Sequence, residues 1–203
     1  MQGLQPQKRT KKDIKLFVRN KMRQTAFFTH FIFYNMTPKV SIIMGSTSDL
    51  PIMEKAAQTL NDFEIPFEMQ VLSAHRTPAE VEKFARNAAT QGIQVIIAAA
   101  GMAAALPGVI AANTILPVIG VPVNASFEGL DALLAIVQMP PGIPVATVAV
   151  NGAMNAAILA IQMLATNDPQ LAKKMTDYKE NLKDKIVKAN DSLKTVNYTY
   201  KTN

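Results

Sequence analysis

Short apolar runs alternate with longer stretches of helical periodicity along the chain from Lys39 onward. The runs have the length and the continuous hydrophobicity of parallel strands that are buried on both faces. We predict strands at residues 40–44, 67–72, 95–98, 117–121 and 144–150. The stretches that follow them repeat apolar residues at helical spacing. They predict helices at residues 50–63, 79–89, 101–112, 129–137 and 152–165.

Five alternations of strand and helix with short links are typical of a three-layer α/β domain with a parallel sheet and right-handed crossovers. Five strands fit the flavodoxin-like order 2-1-3-4-5. In such folds the loops that follow the strands open at the carboxyl edge of the sheet, where ligands bind. We therefore look for the chemistry of this protein in the loops at the strand ends.

An extra amphipathic helix is predicted at residues 168–193, with lysines on its polar face. Its apolar stripe is formed by Leu171, Met175, Tyr178, Leu182 and Ile186. The stripe must be buried on the domain or on a neighbouring subunit. The alanine-rich stretches at 98–112 and 153–165 would suit close contacts between subunits, so an oligomer is favoured over a well-packed monomer.

The charge of the chain is unevenly distributed. Residues 1–36 hold eight basic side chains and one acidic one, whereas the whole chain has a net charge of only +6. The remainder is close to neutral, so its composition does not indicate a nucleic-acid-binding domain. We divide the chain into a basic extension at 1–36, an α/β domain at 37–167, and a C-terminal helix and tail at 168–203. The extension is predicted to be disordered or the product of an upstream start; an organelle-targeting peptide is the alternative.

Composition also excludes several kinds of chemistry. The chain has no cysteine and two histidines, so disulfides, thiolate catalysis and cysteine-based metal sites are excluded and a zinc site is not expected. We expect no bound metal. No apolar run has the roughly 18 residues that are needed to cross a bilayer, so no membrane partner is expected.

The first candidate loop is Gly45-Ser-Thr-Ser-Asp49, between the first strand and the first helix. Backbone amides and hydroxyls at a helix start can hold an anion, so Ser46 and Ser48 could bind a phosphate and Asp49 could accept from ribose hydroxyls. The loop is neither a P-loop nor a dinucleotide fingerprint. The alternative is structural, with Ser48 as the helix cap and Asp49 complementing the helix dipole.

The second candidate loop is Ser73-Ala-His-Arg-Thr-Pro78, after the second strand. His75 can exchange a proton near neutral pH, Arg76 can hold a phosphate with parallel hydrogen bonds, and Ser73 offers a hydroxyl. Thr77 and Pro78 are typical of a helix cap and a first helical residue. The alternative is an ordinary polar loop. The predicted strand order places this loop beside the first one, so Arg76 could complete a phosphate site that begins at Ser46.

The third candidate stretch, residues 98–108, consists of alanine, glycine and a few larger apolar residues. It offers backbone amides and an apolar wall, which suits a small neutral guest or a flat ring. A tightly packed helix is the alternative.

Several motifs in this order resemble the N5-carboxyaminoimidazole ribonucleotide mutase (PurE) family of purine biosynthesis. They are Ser41-Ile-Ile-Met-Gly-Ser-Thr-Ser-Asp49, Ser73-Ala-His-Arg-Thr-Pro78, Leu106-Pro-Gly108, Pro117-Val-Ile-Gly-Val-Pro-Val123 and Gly129-Leu-Asp-Ala-Leu-Leu-Ala-Ile-Val-Gln-Met-Pro140. The resemblance covers about residues 38–167 and implies an isomerase that moves a carboxylate from N5 to C4 of an aminoimidazole ribonucleotide. It implies no cofactor, a cytoplasmic location, and a homo-octamer with sites at subunit contacts.

The resemblance also implies roles for individual residues. His75 would give a proton to the nitrogen as the carbamate breaks and take one from C4 after recarboxylation. Ser46, Asp49 and Arg76 would anchor the ribose phosphate, with Ser48 and Ser73 lining the site. The released CO2 must be retained in a small dry pocket. That pocket would be formed by Gly101, Met102, Ala103 and Leu106.

The sequence departs from the family pattern at two places. Many members have Gly-Gly-Ala-Ala-His-Leu-Pro-Gly where this chain has Gly101-Met-Ala-Ala-Ala-Leu-Pro-Gly108, so a second histidine is absent at Ala105. A Gly-Lys-Ala-Gly loop is shortened here to Asn151-Gly-Ala153. Two other functions stay open: direct carboxylation of aminoimidazole ribonucleotide with CO2, and a non-catalytic nucleotide-binding module. The stretch at 129–140 resembles the mutase branch.

Overall fold

A five-stranded parallel sheet forms the centre of the domain in the computed structural model, which describes residues 37–202. The strands are β1 (Val40–Met44), β2 (Phe67–Val71), β3 (Val95–Gly101), β4 (Val118–Val123) and β5 (Ala146–Thr147). Their order is β2-β1-β3-β4-β5, which confirms the predicted flavodoxin-like arrangement. All neighbouring strands pair in parallel, so their carboxyl ends lie at one edge of the sheet.

Helices cover both faces of the sheet. They are α1 (Leu50–Asp62), α2 (Pro78–Asn87), α3 (Leu106–Ala112), α4 (Leu130–Val137), α5 (Ala153–Ala165) and α6 (Pro169–Leu193). Alternate residues of the central strands point to opposite faces: Ile42 packs with residues of α1 and α5, whereas Ile43 packs with residues of α2, α3 and α4. This two-sided burial explains why β1 and β3 are almost wholly apolar.

Two predicted elements have different bounds in the structure. The helix expected at 101–112 begins only at Leu106, because β3 continues to Gly101 and a turn follows it. Pro107, which lies in the first turn of α3, favours a helix start there. The strand expected at 144–150 is reduced to Ala146–Thr147, an edge strand that pairs only with β4. Pro144 has no amide hydrogen to donate to the sheet, so it cannot extend the pairing.

The C-terminal helix is only partly packed against the domain. Asp168 caps it by accepting hydrogen bonds from the amides of Gln170 at 3.1 Å and Leu171 at 3.0 Å. Leu171 and Met175 are buried in the core. Toward the end of the stripe Ile186 is 69% exposed. Within residues 37–202, the predicted apolar stripe therefore packs on the domain through its N-terminal part.

Contacts of Tyr178 and Lys174 hold the middle of α6 to the domain. The ring of Tyr178 meets the ring of Phe63 edge-on, with the centroids 5.5 Å apart. Lys174 forms an ion pair with Glu64, in the same link between α1 and β2. Within residues 37–202 no helix combines the length and the apolar character that a membrane crossing requires. The predictions for residues 1–36 lie outside the described part of the chain.

Candidate active site

A cavity of about 520 Å³ opens at the carboxyl edge of the sheet, above β1, β2 and β3. The loops after these three strands form its wall, and Ala125, after β4, contributes one further residue. All ten residues to which the sequence assigns a role line it: Ser46, Ser48, Asp49, Ser73, His75, Arg76, Gly101, Met102, Ala103 and Leu106. The fold thus brings together three segments that are up to about 60 residues apart in the chain.

The first loop is held by a reciprocal cap between Ser46 and Asp49. The Ser46 hydroxyl accepts from the amide of Ser48 at 3.3 Å, and the Asp49 carboxylate accepts from the amide of Ser46 at 3.2 Å. The alternative interpretation, in which Ser48 is the helix cap, is therefore wrong, because Ser46 takes this role for a short 3-10 turn before α1. The Ser48 hydroxyl instead donates to Asp49 at 3.4 Å.

Asp49 is a buried carboxylate on the floor of the cavity, with 9% of its surface exposed. Burial raises its pKa above the ordinary value of 3.8, because the charged form loses its hydration. Hydrogen bonds from the Ser46 and Gly45 amides and the Ser48 hydroxyl, together with the charge of Arg76, lower the pKa and offset part of this effect. Asp49 therefore presents strong acceptor oxygens in a partly dry environment.

Arg76 connects the first two loops. One terminal nitrogen of its guanidinium, Nη2, donates to the carbonyl of Gly45 at 2.9 Å, and Nε donates to the Ser73 hydroxyl at 3.3 Å. The other N–H groups of this exposed side chain can reach an anion in the cavity. The predicted juxtaposition of Arg76 with the loop of Ser46 is present in the structure.

His75 lies at the tip of the second loop and is exposed. Within residues 37–202, no side chain or backbone group forms a hydrogen bond with its imidazole. The ring lines the cavity, so both nitrogens can interact with a bound molecule.

Thr77 does not cap α2 with its side chain as expected, although it occupies the cap position and Pro78 begins the helix. Its hydroxyl accepts from the amide of Ser73 at 3.0 Å and donates to the carbonyl of Ser73 at 3.2 Å. Thr77 therefore occupies the predicted cap position but does not make the predicted hydrogen bond to an amide of the helix. Its hydroxyl bonds to the backbone of Ser73 instead, because the chain turns back on itself between Ser73 and Thr77.

The third wall is a turn of small apolar residues rather than the expected helix. Met102 and Ala104 have φ angles of 55° and 42°, in the left-handed region that favours glycine. The amide of Ala104 donates to the carbonyl of Gly101 at 3.0 Å, which closes the turn. Ala104 and Leu106 are buried, whereas Met102 is 62% exposed. Non-glycine residues are tolerated in this conformation only where the surrounding structure imposes it, and such positions cluster at functional sites.

Ala125 lines the cavity but was not among the predicted site residues. An added side chain on Gly101 would approach the Cβ of Ala125 to 2.8 Å, so the loops after β3 and β4 are in close contact. The predicted strand order already places β4 beside β3, and this neighbourhood could have indicated Ala125. Within the described residues no cluster of three or more His, Asp or Glu side chains could hold a metal ion.

The AIR carboxylase family model matches residues 39–185, which include every loop of the cavity. The chain belongs to the AIR carboxylase family. The N5-carboxyaminoimidazole ribonucleotide mutase of Pyrococcus abyssi is 58% identical over 147 residues, which cover 72% of this chain and 84% of that protein. The phosphoribosylaminoimidazole carboxylase of Schizosaccharomyces pombe is 51% identical over 163 residues, which cover 80% of this chain and 30% of that protein.

The fold of this family member has solved counterparts. A crystal structure of Treponema denticola PurE superposes with a TM-score of 0.69 and 31% identity, and the match covers 77% of this chain and 99% of that one. The resemblance that the motifs indicated is therefore confirmed at the level of family and fold.

Proposed function

We propose that this protein converts N5-carboxyaminoimidazole ribonucleotide to 4-carboxyaminoimidazole ribonucleotide. Relatives that carry the mutase name are up to 58% identical to it over most of their length. The observation that carries the proposal for the site is the meeting of an imidazole, a guanidinium and a buried carboxylate in one cavity with an apolar wall.

His75 acts as the proton carrier in this proposal. As the N5 carbamate loses CO2, the imidazolium gives a proton to the exocyclic N5 nitrogen, which becomes the amino group of the released aminoimidazole. When C4 of the aminoimidazole has attacked CO2, the neutral imidazole removes the proton from C4, and the imidazolium is restored. One group can perform both transfers only if it can reach both atoms. The absence of a protein hydrogen bond to His75 within the described chain supports this freedom.

The ribonucleotide is held by the two polar loops. Arg76 and the hydroxyl-bearing loop at Ser46 offer donors to the phosphate, and Ser48 and Ser73 line the same site. Asp49 accepts from ribose hydroxyls with its buried carboxylate. The turn from Gly101 to Leu106, with Met102 and Ala103, encloses the CO2 between the two steps and excludes water.

A second function has support from the comparisons. The fungal relatives carry the name phosphoribosylaminoimidazole carboxylase and are 49% to 51% identical to this chain. Direct carboxylation of aminoimidazole ribonucleotide by CO2 would use the same histidine and the same cavity. The two activities differ in the substrate that delivers the carboxyl group, so an assay must supply both substrates separately.

The decisive test compares the wild type and His75→Asn with each substrate. We expect the wild type to turn over N5-carboxyaminoimidazole ribonucleotide, and His75→Asn to lose about 10²- to 10⁴-fold or more in kcat while ribonucleotide binding changes little. The control is His30→Asn, which removes the other histidine and is expected to retain full activity. Efficient turnover of aminoimidazole ribonucleotide with bicarbonate, without turnover of N5-carboxyaminoimidazole ribonucleotide, would reject the mutase. If His75→Asn turned over substrate at the rate of the wild type, His75 would have no part in the chemistry. If the wild type bound the ribonucleotide but turned over neither substrate, a non-catalytic module would be favoured.

The chain is proposed to assemble as a homo-octamer with sites at subunit contacts. Exposed apolar side chains on α4 support an assembly, since Leu130, Leu134 and Val137 are about half exposed in the single chain. Leu182 and Ile186, which we call the distal stripe of α6, add further exposed apolar surface. The cytoplasmic location and the absence of a cofactor remain predictions.

A further inference from the structure

The loop that carries His75 is closed by one residue, Thr77, through its backbone amide and its side chain. Three hydrogen bonds join Thr77 to the backbone of Ser73: the Thr77 amide donates to the Ser73 carbonyl at 2.8 Å, the Thr77 hydroxyl donates to the same carbonyl at 3.2 Å, and the Ser73 amide donates to the Thr77 hydroxyl at 3.0 Å. Both backbone polar groups of Ser73 are therefore satisfied by Thr77. Only Ala74, His75 and Arg76 lie within the closed turn.

Arg76 is held by hydrogen bonds that do not involve Thr77. The Ser73 hydroxyl accepts from the amide of Arg76 at 3.2 Å and from its Nε at 3.3 Å, and Nη2 of Arg76 reaches Gly45. A chain of contacts thus runs from Thr77 through Ser73 and Arg76 to the end of β1. The imidazole of His75, which lacks a protein hydrogen bond within residues 37–202, is held in place only through this backbone.

Thr77 itself is anchored. It is half-buried and directly precedes helix α2, and its carbonyl accepts from the amide of Val81 at 3.1 Å. Its branched side chain has few rotamers, so a hydroxyl held in two hydrogen bonds stays in one orientation. The contacts of Thr77 therefore connect the polar loop to the start of α2.

We infer that Thr77 is a positioning residue for His75: its hydroxyl closes the Ser73–Thr77 turn and so holds the imidazole where it can reach both proton-transfer atoms. The inference rests on the proposed function, because positioning has meaning only for a His75 that carries protons. A loop without these bonds would spread the imidazole over several positions. Small displacements of a reacting group can reduce a rate by about two orders of magnitude.

The test uses Thr77→Val, which keeps the shape and removes the hydroxyl, and Thr77→Ser, which keeps the hydroxyl. We expect Thr77→Val to reduce kcat by about tenfold to a hundredfold with a smaller change in KM, because Arg76 keeps its bonds to Ser73 and Gly45. Thr77→Ser should recover most of the kcat. The matched control is Thr114→Val, which removes another hydroxyl that accepts from a backbone amide, that of Leu116 at 3.2 Å, in a turn before β4. Thr114→Val should change Tm by about as much as Thr77→Val does, but it should leave kcat unchanged.

A second measurement separates this inference from the proposed function. Amide hydrogen exchange of residues 72–78 in the substrate-free protein should accelerate in Thr77→Val and return toward the wild-type rate in Thr77→Ser. Wild-type kcat in Thr77→Val, an equal loss in Thr77→Ser, or an equal loss in Thr114→Val would overturn the inference. If the wild type itself has no mutase turnover, the proposed function fails. Unchanged amide exchange in Thr77→Val would refute the closure of the turn by the Thr77 hydroxyl, whatever the activity of the wild type. Thr77→Ala replaces Thr77→Val if the latter does not fold.

Discussion

Asp49 experiences two opposing effects at the end of β1. Burial disfavours its charge, whereas the amides of Gly45 and Ser46, the Ser48 hydroxyl and the charge of Arg76 favour it. Burial is the larger effect, so the pKa is raised. A carboxylate that folds with an incompletely compensated loss of hydration reduces stability, which is a common cost of a binding group. The residue is kept in the cavity despite this cost, consistent with its proposed contact to ribose.

This balance predicts a pH-dependent stability difference between the wild type and Asp49→Asn. Because the folded protein binds the Asp49 proton more tightly than the unfolded chain does, the contribution of Asp49 to stability is fully present below its unfolded pKa near 3.8. It is lost as the pH rises through the folded value. The stability of Asp49→Asn relative to the wild type should therefore increase between about pH 3 and pH 7. Urea unfolding across this range measures it, and a relative stability that decreases with pH would show that the hydrogen bonds outweigh burial.

At the scale of elements, α6 has two parts that are stabilised differently. Its first turns carry Leu171 and Met175 into the core, and the contacts of Lys174 and Tyr178 extend this attachment by one turn. The later turns expose Leu182 and Ile186. The helix continues because its sequence favours helix, since Lys and Leu are frequent in it, and not because the described domain packs against it.

Two leucine substitutions in α6 test this division. Leu171→Ala should reduce the free energy of unfolding by about 2–5 kcal/mol, because it removes buried methyl groups and leaves a cavity. Leu182→Ala is the matched control and should change it by only about 0.5 kcal/mol in the single subunit. Denaturant or thermal unfolding of both variants provides the comparison. A large loss in Leu182→Ala would indicate that a neighbouring subunit covers the distal stripe.

At the scale of the whole molecule, the candidate site is carried by the α/β domain. Within residues 37–202, the side chains that line the cavity lie between Gly45 and Ala125. The match to the family model begins at residue 39 and includes all of these described lining residues. The family pattern therefore does not extend into residues 1–36.

Deletion of residues 1–36 is therefore expected to leave kcat and KM within about twofold of the full chain, because the family match begins only at residue 39. Light scattering of the full and shortened chains measures the assembly, for which we expect eight subunits in both. A large loss of activity or a smaller assembly in the shortened chain would show that the extension contributes to the enzyme.

The order of the strands and the position of the site could be predicted from the sequence. The apolar runs at 40–44 and 95–98 have the length and continuous hydrophobicity of strands covered on both faces, and their alternation with helices favours a parallel sheet with right-handed crossovers. The polar loops at Ser46 and His75 then meet because parallel strands end at one edge. Hydrophobic periodicity and chain connectivity are local properties, so they are readable without coordinates.

The tertiary structure decided what depends on neighbours distant in the chain. The stretch after Gly101 is compatible with helix in its composition, yet β3 extends through its first residue because β4 pairs with it as far as Val123. Thr77 could cap a helix, yet its hydroxyl bonds to Ser73 because the turn brings that backbone within reach. Ala125 has no chemical signal of its own and joins the cavity only through the packing of adjacent loops. Propensity identifies the elements, whereas competition among contacts in space determines where each one ends and which hydrogen bond each side chain makes.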